Sequence, residues 1–283
     1  MKIDQAWLAG EFPLITGLAQ IGEGGQKFVF AGDHDTDGPV VLKLFKLDAD
    51  IARVQREVQA PLVVGSPRIP RVLEEGQVNS QLGELLWIRE VRVPGESLRE
   101  ALKGGQMPDQ VILRLGLHML EALAAAEDAS IVHRDVKPEN IIIGPDGSGW
   151  LLDFGFARYL DLASLTATSD AWGKGTIGYA PPEQFRNDKP EIDGRADLFA
   201  LGMTLYECVE GKHPFRSITQ DAAEILRRVE RQPLPRISRQ VSSTEEFTEL
   251  IYAMTRPRRN HRPETVKNAL SWMQEICLAE GIS

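Results

Sequence analysis

Cysteine is nearly missing from this chain: Cys208 and Cys277 are the whole complement in 283 residues, far apart and without metal-ligand spacing. That pattern excludes a disulfide-built fold and a cysteine metal centre, and leaves two reduced core thiols. Histidine offers no alternative, because His118, His213 and His261 have no ligand partners at metal spacing. No apolar run is long enough to span a bilayer. The N-terminus carries Asp4 and Glu11 among short apolar runs and lacks a signal-peptide pattern. Positive charge is in deficit, 32 basic against 41 acidic side chains for a net charge of −9, which argues against a nucleic-acid or acidic-membrane surface. Repeats and low-complexity tails are absent too. A soluble cytoplasmic protein is the expectation, and its 42% apolar and 26% charged residues describe a globular one.

Chemistry concentrates in one stretch. His133-Arg134-Asp135-Val136-Lys137-Pro138-Glu139-Asn140 is followed by Asp153-Phe154-Gly155. Phosphoryl transfer asks a protein for a carboxylate near the attacking hydroxyl, a cation on the moving phosphate and oxygen ligands for magnesium. Asp135, Lys137, Asn140 and Asp153 supply those types in that order. Ile141-Ile142-Ile143, the turn Gly144-Pro145-Asp146-Gly147 and Trp150-Leu151-Leu152 read as a hairpin, which folds Asn140 back beside Asp153.

This segment resembles the catalytic core of the eukaryotic-like serine/threonine protein kinases, and the resemblance runs from about Ile21 to about Met273. It implies Asp135 as catalytic base, Lys137 on the γ-phosphate, and Asn140 and Asp153 as Mg²⁺ ligands, with Mn²⁺ as a substitute. A lysine at 137 is similar to serine/threonine rather than tyrosine specificity in that family. Gly22-Glu23-Gly24-Gly25-Gln26-Lys27-Phe28-Val29 looks like the glycine-rich loop over ATP phosphates, where backbone amides approach charged oxygens. It departs from the family at two places: Lys27 stands where a third glycine is usual and Gln26 where an aromatic is usual. The sequence assigns Lys27 no role.

Lys43 interrupts the apolar run Val40-Val41-Leu42-Lys43-Leu44-Phe45. Alone it would read as an outward lysine, and Glu57 alone as a solvated helix face. The resemblance instead has Lys43 hold the α/β-phosphates and pair with Glu57, so that helix position gates activity. It sets adenine contacts near Val91 and Val93, beside Glu90, and counts Val29, Val41 and Ile143 among the nucleotide-binding positions. Core packing accounts for Val29 and Ile143 equally well. Phe154 to Glu183 resembles an activation segment ending in Gly175-Thr176-Ile177-Gly178-Tyr179-Ala180-Pro181-Pro182-Glu183. Thr176 would bridge Asp135 and Lys137, and Glu183 would pair with Arg262. Thr166, Thr168 and Ser169 are candidate phosphorylation sites, with Arg134 as the residue that would receive the phosphate. Asp161 or Asp170 could serve Arg134 instead. His133 reads as a structural histidine, and Asp197 as a buried acid accepting catalytic-loop amides.

The expected fold is α+β and bilobal: residues 1–93 as an antiparallel five-stranded lobe with one main helix, and residues 94–283 as a mainly helical lobe. Strands are expected over 22–33, 39–47, 71–76 and 85–93. Helices are expected around Ile51 to Val58 and Val111 to Ala126, and over 195–210, 221–231, 244–254 and 264–278. The implied function is ATP-dependent phosphorylation of serine or threonine in protein substrates, with a regulatory protein partner standing in for missing sensory domains. Two rivals stay open. A catalytically silent scaffold is supported by the altered glycine loop and opposed by intact Lys43, Glu57, Asp135, Asn140 and Asp153. A small-molecule kinase is opposed by Lys137 and by the segment from Thr176 to Glu183.

Overall fold

A hairpin centred on residues 35–37 sets the register of everything around the cleft. Asp35, Thr36 and Asp37 form its tip and Gly38 completes it at φ 69°, where only glycine is unstrained. His34 Nδ1 accepts from the amides of Thr36 and Asp37 at 3.3 and 3.4 Å. The computed structural model of the chain describes residues 3–23, 27–46, 51–154, 158–159 and 176–282, without the side chains of 51–57, 158, 159 and 189. Helix α1 (Gln5–Glu11) leads into β1 (Ile15–Glu23), β2 (Lys27–His34), β3 (Gly38–Lys46), α2 (Ile51–Val64), β4 (Val72–Ser80) and β5 (Gly83–Val91). The strands make one antiparallel sheet in the order β1-β2-β3-β5-β4.

Alternation then sorts side chains between the two faces of this sheet. Phe28, Phe30, Val40, Leu42, Leu44 and Leu85 pack with Ile3, Leu8 and Phe12, under α1. Residues one out of phase, including Val29, Val41 and Lys43, leave by the other face, where Phe45 and Ile88 meet Val58 of α2. Two elements exceed the sequence expectation. Helix α1 has seven residues and a single buried one, Leu8, so no period is visible; Asp4 caps it by accepting from Trp7 N at 2.8 Å. Strand β1 is a sheet edge and largely exposed, so its polar stretch hides the alternation, while β4, the other edge, carries the strand expected over 71–76 on to Ser80.

Helices dominate the rest: β6 (Glu96–Ser97), α3 (Leu98–Ala101), α4 (Asp109–Asp128), β7 (Ile131–Val132), β8 (Ile141–Ile143), β9 (Gly149–Leu151), β10 (Arg158–Tyr159), α5 (Pro182–Phe185), α6 (Gly194–Glu210), α7 (Ala222–Arg231), α8 (Glu246–Met254) and α9 (Val266–Ala279). The bilobal α+β architecture expected from the sequence is present. Helix α6 is buried along almost its full length, between an Asp193 cap and Gly211 at φ 69°, and α4, α8 and α9 surround it. Cys208 and Cys277 are free and buried. Among the described residues no helix is long and apolar enough to cross a membrane.

This core holds two neutral histidines. Burial, with Arg68 nearby, lowers His118 to about 4, and burial with Arg216 lowers His213 to about 3. In the unfolded chain both titrate near 6.5. The unfolded state therefore binds more protons below that value, and the stability these groups contribute is complete above pH about 6.5 and lost as pH falls toward 4. The denaturation midpoint should drop between pH 7 and pH 4.5. His118→Gln, whose amide oxygen can still accept from Gly149 N as Nδ1 does at 3.0 Å, should flatten that slope.

Candidate active site

Residues 131–140 run from β7 through a tight turn at 138–140 into β8. Asp197 shapes this loop from below: its Oδ2 accepts from His133 N at 2.8 Å and its Oδ1 from Arg134 N at 2.7 Å. Burial pushes the Asp197 carboxyl upward, while His133 and the two amides pull it back. His133 is fully buried and spends both ring nitrogens inward, Nδ1 accepting from Asp135 N at 3.2 Å and Nε2 facing Leu152 O at 2.9 Å. With Nδ1 as acceptor the proton sits on Nε2 and donates to that carbonyl. Arg134 stands at φ 70°, and its carbonyl accepts from Gln184 Nε2 at 2.6 Å.

The loop gathers a closed polar ring around Asp135, which is 6% exposed. Its Oδ2 accepts from Lys137 Nζ at 2.8 Å and Asn140 Nδ2 at 3.0 Å, and its Oδ1 accepts from Thr176 Oγ1 at 2.8 Å. Lys137 Nζ also donates to Thr176 Oγ1, at 2.8 Å. Asn140 Nδ2 donates in addition to the Asp135 carbonyl, at 2.8 Å, which leaves its amide oxygen facing away. The β8–β9 pairing of Ile141 with Leu151, and Leu152 N donating to Asn140 O at 2.8 Å, set Asp153 alongside. Asp153 itself is at φ 65°.

An amide oxygen and a carboxylate are hard donors of the kind Mg²⁺ takes singly or in pairs, completing its shell with substrate phosphates and water. Asp153 already draws a cation, because Lys27 Nζ lies 2.7 Å from its Oδ2. The donors present fit such an ion.

Above the ring, Lys43 Nζ lies 2.9 Å from Glu90 Oε1, and both side chains are about nine-tenths buried. Strand register explains the meeting. Lys43 stands opposite Ile88 and Val41 opposite Glu90, so Lys43 and Glu90 are diagonal neighbours on one face. Glu90, which the resemblance sets beside the adenine contacts, turns its carboxylate toward Lys43. The signal lay in two charges in apolar strands, but pairing them needs the register. Val91 N donates to Arg71 O at 2.9 Å, so any contact from Val91 to a base would use its carbonyl. Val29, Val41 and Val93 are half-buried and Ile143 buried, while Gly22 and Glu23 close β1 opposite Val29 and Phe28. The Glu57 side chain, Gly24, Gly25, Thr166, Thr168 and Ser169 lie outside the described residues. Glu90→Ala should cost about 2 kcal/mol, since it removes a charged hydrogen bond from a buried ammonium, and Glu90→Gln less. Urea denaturation of the two variants checks this.

A second network was not foreseen. Arg99 of α3 donates to Glu139 Oε1 at 2.9 Å, Glu207 Oε1 at 2.7 Å and Tyr179 OH at 2.5 Å, while Tyr179 OH donates in turn to Glu207 Oε2. It ties the turn at 138–140, the residues after Thr176 and α6 together. Burial and the Glu207 carboxylate push the Tyr179 phenol well above its usual range. Close by, Arg262 and Glu183 form a fork-to-fork pair at 2.6 and 3.1 Å, with the arginine side chain fully buried.

Residues 15–273 match the protein kinase domain family. The chain belongs to that family. Among its curated relatives are a probable serine/threonine-protein kinase of Corynebacterium efficiens, 35% identical over 77% of this chain and 34% of the relative, and the serine/threonine-protein kinase PknL of Mycobacterium bovis, 35% identical over 70% of this chain and 49% of the relative. A probable serine/threonine-protein kinase of Clostridium perfringens is 32% identical over 70% of this chain and 29% of the relative. The chain thus spans less than half the length of these relatives. The family match begins at residue 15, ahead of the resemblance near Ile21, because it takes in β1.

Proposed function

We propose that this chain is an ATP-dependent serine/threonine protein kinase whose two lobes, residues 1–93 and 94–283, hold the nucleotide between them. The observation that carries this reading is the ring in which one buried carboxylate, Asp135, shares Lys137 and Thr176 within 2.8 Å. In it, Asp135 accepts the proton of a substrate hydroxyl and orients the oxygen for in-line attack. Lys137 meets the negative charge of the moving phosphoryl group, and Thr176 keeps the two in register. Asn140 and Asp153 would hold magnesium, or manganese in its place, which when bound neutralises phosphate charge. Lys43 would orient the α/β-phosphates, while Val29, Val41 and Ile143 line the base, with Val91 and Val93 along its edge. His133, Asp197, Glu183 and Arg262 are supports: their polar atoms are spent within the fold.

Protein hydroxyls are the proposed acceptors, supported by Thr176 bound to both Asp135 and Lys137 and by curated relatives named as serine/threonine-protein kinases. Autophosphorylation at Thr166, Thr168 or Ser169, read by Arg134, is the proposed control, in a cytoplasmic setting with a regulatory protein partner. Incubation with labelled ATP, Mg²⁺ and myelin basic protein should label the acceptor, and Lys43→Met and Asp153→Asn should abolish the signal. Mass spectrometry of the active protein should find phosphate on that segment. Full turnover without it would remove the regulatory part alone, and no transfer at all would favour a scaffold.

A further inference from the structure

Lys27 is the residue to which neither the motif nor the proposed chemistry gives work. In the β2–β3 register it stands opposite Phe45, two residues along from the Val29–Lys43 pair, so Lys27 and Lys43 leave the sheet on the same face. From there its ammonium crosses to Asp153 Oδ2 at 2.7 Å, joining the sheet to the segment after β9 across 126 residues of sequence. The two side chains are 19% and 23% exposed, partly shielded from solvent, where a charge pair is screened less than on an open surface.

We propose that Lys27 is a built-in cation that competes with the divalent metal for Asp153. It holds the Asp153 carboxylate until the metal-bound nucleotide takes that group, and then turns onto the nucleotide phosphates. The inference rests on reading the cleft as a metal–nucleotide site. Its logic is electrostatic. A carboxylate oxygen that carries an ammonium at hydrogen-bond distance cannot also take a dication there, because the two positive charges repel at contact. Lys27 must therefore move as metal takes that oxygen, and its four-carbon stem with rotatable donors allows that. The nearest new negative charge is then the phosphate chain, which a strand-borne lysine beside the glycine loop can follow. Asp153 thus keeps a cation in both states, and the metal requirement is set partly by a residue that does not ligate it.

Isothermal titration of ADP into the whole chain at stepped MgCl₂ concentrations tests this. In Lys27→Met the half-saturating Mg²⁺ concentration should fall roughly fivefold, the equivalent of about 1 kcal/mol for an ion pair of this kind. In EDTA, ADP should bind Lys27→Met more weakly than wild type, because the cation that offsets the Asp153 charge beside the phosphates is gone. Lys27→Arg, which keeps the charge, should stay near wild type, and ligand-free melting curves establish that both variants are folded. An unchanged or raised Mg²⁺ requirement in folded Lys27→Met overturns the inference. The underlying reading is judged separately on wild type and Asp153→Asn. Loss of Mg²⁺-dependent ADP binding in Asp153→Asn supports it, and absence of any such dependence in wild type overturns both.

Discussion

Asp135→Asn is expected to lower kcat roughly a thousandfold while leaving KM for ATP close to wild type. The substitution is isosteric, so the ring around residue 135 survives in outline: an amide oxygen still accepts from Lys137, and the loop is still held by Asp197 through the amides of His133 and Arg134. What disappears is the anion proposed to accept the substrate proton, a contribution worth about 10²–10⁴ in rate for a positioned base. Lys137 and Thr176 lie within 2.8 Å of the carboxylate, so part of the loss reflects their reorientation. Steady-state kinetics with a protein acceptor separate the two parameters. A variant that turns over like wild type removes Asp135 from the chemistry and, with it, the proposed mechanism.

Arg262→Met should be the most destabilising of the conservative-volume changes. All five guanidinium hydrogens are used: Nε on Arg256 O at 2.7 Å, Nη1 on Glu183 Oε1 at 2.6 Å and Arg195 O at 2.9 Å, Nη2 on Glu183 Oε2 and Pro257 O at 3.1 Å each. The group also lies 4.9 Å from the centroid of the Phe199 ring, on its face. Removing it strands a Glu183 carboxylate that is 9% exposed, a situation that costs about 3–5 kcal/mol. At about 2–4 °C per kcal/mol for a domain of this size, the melting temperature should fall by roughly 10 °C. Arg262→Met combined with Glu183→Leu should recover much of the loss, because a buried pair replaced on both sides leaves no orphan charge. A single variant as stable as wild type would show the pair to be dispensable.

Some elements were legible at once, for reasons that are local. Helix α6 is apolar nearly all round and can only be central, and its stop is written in Gly211; Asp193, whose side chain caps its start, lies just ahead of the expected first residue. The hairpin after Asn140 announced itself by two isoleucine- and leucine-rich runs around a proline–glycine turn. The edge strand β1 and the short α1 did not, because exposure removes the alternation that would reveal them. The Arg99–Glu207–Tyr179 network was invisible for another reason: its members lie up to 108 residues apart, and nothing in the neighbourhood of Arg99 points to its partners.

By itself the chain of residues determined the family and the order of the chemistry. Phosphoryl transfer demands particular side-chain types at short spacing, and Asp135, Lys137 and Asn140 lie within six residues of one another. Tertiary structure alone decided which charge meets which. Lys43 lies against Glu90 and Lys27 against Asp153, because ion pairing depends on strand register and on how the sheet approaches the helical part. Both are set by burial of faces far from these charges, in Phe28, Leu42 and Leu44 on the hidden side of the same strands.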